Sequence, residues 1–111
     1  MKKWLVRILT GLVLLVAFVL LAGFVFFRLA NRTNGQITTS AGEQRSYYLY
    51  VPESYDPAVP TALILSMHGY ADWPAHHMDT TRWNELADEN GLIVVYPSGT
   101  RFPMRWRASN L

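Results

Sequence analysis

Three histidines are the side chains of this sequence best suited to acid–base or metal chemistry. His68 ends an apolar segment and precedes Gly69, while His76 and His77 are adjacent further along the chain. A histidine base must reach a nucleophile, and the position of His68 before a glycine favours a loop-shaping role instead. Adjacent histidines rarely point at one ion, and the sequence has no cysteine and no His-x3-His pair. The sequence therefore implies neither a metal nor an organic cofactor.

A serine nucleophile for acyl transfer needs a sharp strand-to-helix turn with the pattern Gly-x-Ser-x-Gly. None of the 7 glycines is followed by Ser-x-Gly at this spacing. Ser98 follows an apolar segment but lacks the flanking glycines, so we expect it to begin a turn. No residue of this chain is predicted to be a nucleophile.

Two tryptophans lie where they could face a substrate. Trp73 precedes Pro74, and a packing role is the simpler interpretation. Trp106 lies among arginines that could meet an anionic substrate, although a solvated loop is the interpretation we favour; they are Arg101, Arg105 and Arg107.

Four segments between these loops predict strands. Residues 36–39 are rich in β-branched side chains, and residues 45–51 alternate between two faces before Pro52 ends the pattern. Residues 62–67 and 92–96 are apolar on both faces, which is typical of strands covered on both sides in a parallel sheet.

One helix is predicted after a loop from Tyr70 to Met78. Its N-cap candidates are Asp79, Thr80 and Thr81, it continues to about Asn90, and Gly91 suits the left-handed C-terminal position. An apolar stripe at helical spacing should face the sheet; it comprises Trp83, Leu86, Ala87 and Asn90.

These elements predict an α/β fold with an antiparallel hairpin, over residues 36–51, and a parallel βαβ unit with a right-handed crossover, over residues 61–97. Strands that are apolar on both faces need cover on both, and one helix covers only one. We therefore expect the natural polypeptide to continue past Leu111. Residues 31–42 would be a tether and first strand, and residues 43–111 an incomplete domain.

Residues 8–27 are uncharged and mostly apolar. As a helix they would be about 30 Å long, the thickness of the hydrocarbon core of a bilayer. Three basic residues precede this segment and two follow it, which favours a cytoplasmic N-terminus and an extracytoplasmic C-terminal domain. Residues 1–30 are thus predicted to be a signal-anchor in the cell membrane, with the lipid bilayer as partner. Secretion after signal cleavage is the alternative, although the small-residue cleavage pattern is poor.

The formal charge of +2 comes from the membrane flank. Residues 31–111 carry six arginines and no lysine against eight acidic residues, so this part is near −2. There is no basic stripe to follow a phosphate backbone, which argues against nucleic-acid binding.

Several motifs in residues 43–106 occur in a distinctive order. They are Arg45-x-Tyr47-x-Leu49-x-Val51-Pro52, the strand ending at His68-Gly69, Trp83 with Leu86-Ala87-Asp88, and Tyr96-Pro97-Ser98-Gly99. Together they resemble the N-terminal part of the α/β-hydrolase superfamily, in particular the esterases grouped with polyhydroxybutyrate depolymerases and feruloyl or acetylxylan esterases.

The resemblance implies acyl transfer from an ester substrate, such as a polyhydroxyalkanoate-type polyester or an acylated polysaccharide. It places an oxyanion-hole loop at His68, Gly69, Tyr70 and Ala71, with a backbone amide of Tyr70 or Ala71 as donor and Gly69 allowing a close turn. In this family serine, acid and histidine follow later strands, so the resemblance places all three beyond Leu111. This fragment alone is then expected to be inactive.

Two other functions are compatible with the same residues. One is a non-catalytic, membrane-tethered binding module that keeps the hydrolase scaffold without its triad. The other is a related serine peptidase.

Overall fold

The computed structural model describes residues 2–107; Met1 and residues 108–111, the end of the predicted incomplete domain, lie outside the described part. The first element, α1, spans Lys3–Ala30. An 18-residue window within it has a mean hydropathy of 2.9 and no buried residue. One helix is therefore long and apolar enough to cross a membrane, a property that N-terminal signal sequences share.

The rest of the described chain forms a mixed four-stranded sheet with helices on one face. The strands are β1 (Gly35–Thr38), β2 (Gln44–Tyr50), β3 (Leu63–Leu65) and β4 (Ile93–Pro97). Their order is β1-β2-β4-β3, with β1–β2 and β2–β4 antiparallel and β3–β4 parallel. The predicted hairpin and the predicted parallel pair are both present, which is consistent with an α/β fold.

Strand β3 is shorter than the predicted residues 62–67, but pairing continues at both of its ends. The Ile93 amide donates to the Ala62 carbonyl, and the Ser66 amide donates to the Val95 carbonyl, both at 2.9 Å. The strand loses regular geometry after Leu65, where the chain turns toward the His68 loop.

The predicted single helix is wrong, because two helices occupy this region. They are α2 (Pro74–Thr81) and α3 (Trp83–Asn90), separated by Arg82 with a left-handed φ of 56°. Pro74 is the first residue of α2, where its fixed φ suits a helix and its missing N–H costs nothing. The predicted cap Thr80 lies inside α2 and donates to the His76 carbonyl at 3.0 Å.

The end of α3 agrees with the sequence, since Gly91 is left-handed at a φ of 64°. The predicted stripe is only partly buried. Ala87 is fully buried and Trp83 packs against the core, whereas Leu86 and Asn90 are exposed. The break at Arg82 shortens the helix and leaves fewer turns to contact the sheet.

The core lies between the two short helices and one face of the sheet. Its buried members are Met78, Ala87, Val94 and Tyr96. On the opposite face Ile37, Leu63 and Leu65 are about 60% exposed, at 59%, 62% and 62%. Within residues 2–107 no helix covers this second face, as the doubly apolar strands led us to expect.

Candidate functional site

The loop that follows β3 is organised around His68, whose side chain is buried. The Gly99 amide donates to His68 Nε2 at 3.0 Å, so Nδ1 carries the proton and donates to the Gly69 carbonyl at 2.7 Å. Both ring nitrogens are therefore occupied. This arrangement makes His68 a bridge between the loops after β3 and β4, and it leaves no free nitrogen to act as a base.

Trp106 completes this bridge from the other side. Its indole Nε1 donates to the His68 carbonyl at 2.7 Å, and its ring lies 4.8 Å from the imidazole, centroid to centroid. The N–H donor of the half-buried indole is thus occupied by a hydrogen bond to the loop. The possible substrate-facing role of Trp106 has no direct support in this geometry.

The two candidate oxyanion donors differ. The Ala71 amide donates to the Met104 carbonyl at 2.8 Å, and Ala71 has a left-handed φ of 57°. Among residues 2–107 the Tyr70 amide has no acceptor, and the Tyr70 side chain is 70% exposed. A Cβ added to Gly69 would meet no atom within 4 Å. Of the two candidate donors, the Tyr70 amide is therefore the open one, and it lies beside open space at Gly69.

Trp73 lies at the end of this loop, against α1. Its ring meets the ring of Phe27 edge-on, with centroids 6.1 Å apart and planes at 84°. The Trp73 backbone amide donates a hydrogen bond to Asp72 Oδ1 at 2.8 Å. Trp73 therefore packs, in agreement with the simpler interpretation, and a substrate contact stays a prediction.

A constellation of serine, histidine and acid was missed in the sequence. Ser66 Oγ lies 3.0 Å from His77 Nε2, and His77 Nδ1 lies 3.9 Å from Asp72 Oδ2. The other Asp72 oxygen lies 2.7 Å from His76 Nδ1. The spacing of these residues in the sequence gave no signal, because β3 and α2 bring them together only in the folded chain.

Ser66 and His77 form a structural hydrogen bond, with the Asp72 carboxylate nearby, rather than a nucleophilic triad. Ser66 is only 7% exposed, so no ester could approach its hydroxyl. The 3.9 Å gap between His77 and Asp72 exceeds hydrogen-bonding distance. Burial lowers the pKa of His77, opposed by the Asp72 carboxylate. The Ser66–His77 hydrogen bond joins α2 to the end of β3 and thereby positions the loop between them.

Ser98 and the possible metal ligands are the remaining candidate residues. The Ser98 amide donates to the Ser46 carbonyl at 2.9 Å, which continues the pairing of β2 with β4, and its hydroxyl approaches Met104 Sδ at 3.3 Å. The turn lies further on, at residues 101–104, so the expectation that Ser98 begins a turn is wrong. Within the described part of the chain no three histidine, aspartate or glutamate side chains are placed to hold a metal ion.

No protein-family model matches the sequence. The chain is 37% identical, over 65 residues, to a bifunctional acetylxylan esterase/xylanase of Neocallimastix patriciarum. The match covers 59% of this chain and spans only 9% of the length of that relative. The comparison thus supports an esterase-related sequence over about 65 residues.

Proposed function

We propose that this chain is the N-terminal part of a membrane-anchored, extracytoplasmic serine esterase of the α/β-hydrolase type. The observation that carries the proposal is the open Tyr70 amide at the carboxyl end of β3. The neighbouring Ala71 amide is tied to Met104, and His68 holds the loop from both sides. The similarity to an acetylxylan esterase/xylanase supports the same chemistry.

In the proposed reaction a serine oxygen attacks the ester carbonyl carbon, and a histidine takes the serine proton and passes it to the departing alcohol. Water then attacks the acyl-enzyme, which releases the carboxylic acid and restores the serine. The carbonyl oxygen becomes negative during each attack. A preorganised backbone amide aimed at that oxygen contributes about 3 kcal/mol to stabilising the transition state, and the Tyr70 amide supplies one such donor.

The nucleophile, acid and base are proposed to follow residue 111, since residues 1–111 contain no Gly-x-Ser-x-Gly turn. Substrates are proposed to be carboxylic esters, either a polyhydroxyalkanoate-type polyester or an acylated polysaccharide. The name of the relative favours acetyl groups on a polysaccharide. Helix α1 would hold the protein in the membrane with its N-terminus in the cytoplasm, a topology that reporter fusions would test.

A fluorophosphonate probe, which labels active serine nucleophiles, tests the proposal on the complete protein. We expect hydrolysis of p-nitrophenyl acetate and labelling of one serine that follows residue 111, located by peptide mass spectrometry. The Ser66→Ala variant is the control and should keep both signals. Labelling of Ser66 or Ser98 would contradict the proposed position of the nucleophile.

A non-catalytic binding module is the second candidate, favoured by the absence of a nucleophile turn from residues 1–111. A folded complete protein that neither hydrolyses p-nitrophenyl acetate nor reacts with the fluorophosphonate would support this function instead.

A further inference from the structure

The end of α1 is packed against α2 rather than separated from it by a flexible tether. The rings of Phe27 and Trp73 meet edge-on, and Arg32 Nη2 donates to both Asp79 oxygens at 3.0 and 3.2 Å. The Arg32 guanidinium also lies over the Tyr48 ring, 5.9 Å from its centroid. These contacts give the four-stranded sheet and its two short helices a defined orientation relative to α1.

The same contacts show which end of α2 is nearer the apolar segment of α1. Phe27 is the last residue of that segment and touches Trp73, just before α2, whereas Arg32 lies beyond it and pairs with Asp79 near the far end of α2. The end of α1 and helix α2 thus run in the same direction. If α1 spans a membrane, Phe27 marks the edge of the hydrocarbon core, and α2 begins at headgroup level.

The strand register independently supports this orientation. Gly35, the first residue of β1, pairs with Tyr47, which pairs on its other side with Pro97, the last residue of β4. The chain that leaves α1 therefore enters the sheet at the edge where β4 ends. Because β3 is parallel to β4, the loops after both strands lie at this edge.

The side chains along this edge suit a lipid surface. Tyr70 in the loop after β3 is 70% exposed, and Phe102 in the loop after β4 is 82% exposed. Arg28 and Arg101 are exposed as well, while the Asp72 carboxylate is engaged by Trp73 and His76. Aromatic rings at headgroup level and nearby arginines are favourable at an interface with anionic lipids.

We propose that the carboxyl edge of the sheet rests on the membrane that α1 crosses, with Tyr70, Trp73 and Phe102 at the level of the lipid headgroups. The partner is the lipid surface itself. The inference rests on the membrane-spanning role proposed for α1. With the proposed esterase function, the Tyr70 amide would face substrates presented at the membrane plane.

The test measures the depth of single labels in the full chain. The sequence has no cysteine, so Tyr70→Cys, Phe102→Cys and Thr80→Cys each give one labelling site. Thr80 is the matched control, since it is exposed on α2 and about 9 Å along the helix axis from Pro74. Each variant carries a fluorophore in vesicles of phosphatidylcholine and phosphatidylglycerol, and a lipid with a nitroxide headgroup serves as quencher.

We expect quenching at positions 70 and 102 to be about threefold stronger than at position 80, because quenching falls steeply over distances of about 10 Å. Arg101→Glu in the Phe102→Cys protein should weaken it, since the reversed charge repels anionic lipid. Equal quenching at the three positions, in protein that resists carbonate extraction, overturns the orientation alone. Release of the protein by carbonate overturns the anchor proposal and the orientation with it.

Discussion

Two glycines near the sheet differ in what their positions require. Gly91 has a left-handed φ of 64°, whereas Gly69 has no such angle and open space around its Cβ position. Substituting Gly91→Ala should therefore lower the free energy of unfolding by about 1 kcal/mol. Gly69→Ala should leave stability unchanged within about 0.5 kcal/mol, since its new methyl group meets no atom.

Activity should rank the same two variants in the reverse order: Gly69→Ala should lose esterase activity, and Gly91→Ala should keep it. The Gly69→Ala methyl group would occupy the space beside the Tyr70 amide, so kcat/KM for p-nitrophenyl acetate in the complete protein should fall at least about tenfold. Gly91→Ala should keep the activity of each folded molecule. Urea unfolding and steady-state hydrolysis measure the two effects, and an unchanged kcat/KM for Gly69→Ala would remove the loop from the oxyanion site.

His77 should make stability depend on pH. Burial lowers its pKa in the folded state, so the unfolded chain, with an ordinary pKa of about 6.5, binds a proton more readily. The contribution of the neutral imidazole is complete above that value and is lost as pH falls through the lower folded pKa. Unfolding free energies measured from neutral to acidic pH should therefore decline.

Two glutamine variants isolate this effect. His77→Gln keeps a polar group beside Ser66 without titrating, so the decline at acidic pH should be smaller than in the unmodified protein. His76→Gln is the control, because the His76 side chain is 52% exposed. The explanation is wrong if both variants show the same pH dependence as the parent.

At the level of elements, the junction between α2 and α3 stores strain in one residue. Arg82 has a φ of 56° without being a glycine, which costs about 1 kcal/mol. Arg82→Gly should therefore raise the free energy of unfolding by up to about 1 kcal/mol. Arg82→Ala is the matched control, since it removes the exposed ion pair with Glu85 but keeps a Cβ in the left-handed conformation. Equal stabilities of the two variants in urea unfolding would show that the junction is not strained.

The sequence predicted elements better than it predicted their junctions. Alternation along residues 45–51 and doubly apolar runs at 62–67 and 92–96 are direct consequences of burial, so four strands, the antiparallel hairpin and the parallel pair could be predicted. The antiparallel pairing of β2 with β4 was not predicted. No glycine, asparagine or proline at Arg82 indicates a helix break in the sequence. Pro74 was interpreted as part of a loop. The helix boundaries therefore could not be placed.

The candidate site was predictable only in its local part. The loop that begins at His68 and Gly69 could be predicted because it directly follows a strand. The hydrogen bonds that hold His68 come from Gly99 and Trp106, and the Ser66–His77 contact joins two elements. Such contacts depend on the packing of the whole sheet, which no spacing along the chain encodes.

At the scale of the molecule, the uncovered sheet face should make residues 31–111 self-associate when they are expressed alone. Leu63 and Leu65 are each 62% exposed, and an open apolar face promotes association. We expect a low soluble fraction and weak near-ultraviolet circular dichroism. The double substitution Leu63→Lys and Leu65→Lys should raise solubility, with Glu89→Lys on α3 as control. A soluble, cooperatively folding monomer of the unsubstituted segment would contradict the expectation.

The strand order β1-β2-β4-β3 also determines when this sheet can assemble during synthesis. Strand β4 lies between β2 and β3, so among the described strands β3 has no pairing partner until β4 has been synthesised. The β1–β2 hairpin is local and can form early, whereas pairing of β2 with β4 closes a loop of roughly 45 residues at a larger entropic cost. A nascent chain would therefore carry β3 unpaired until residue 97 has been synthesised, and an unpaired strand exposes the chain to aggregation over that interval.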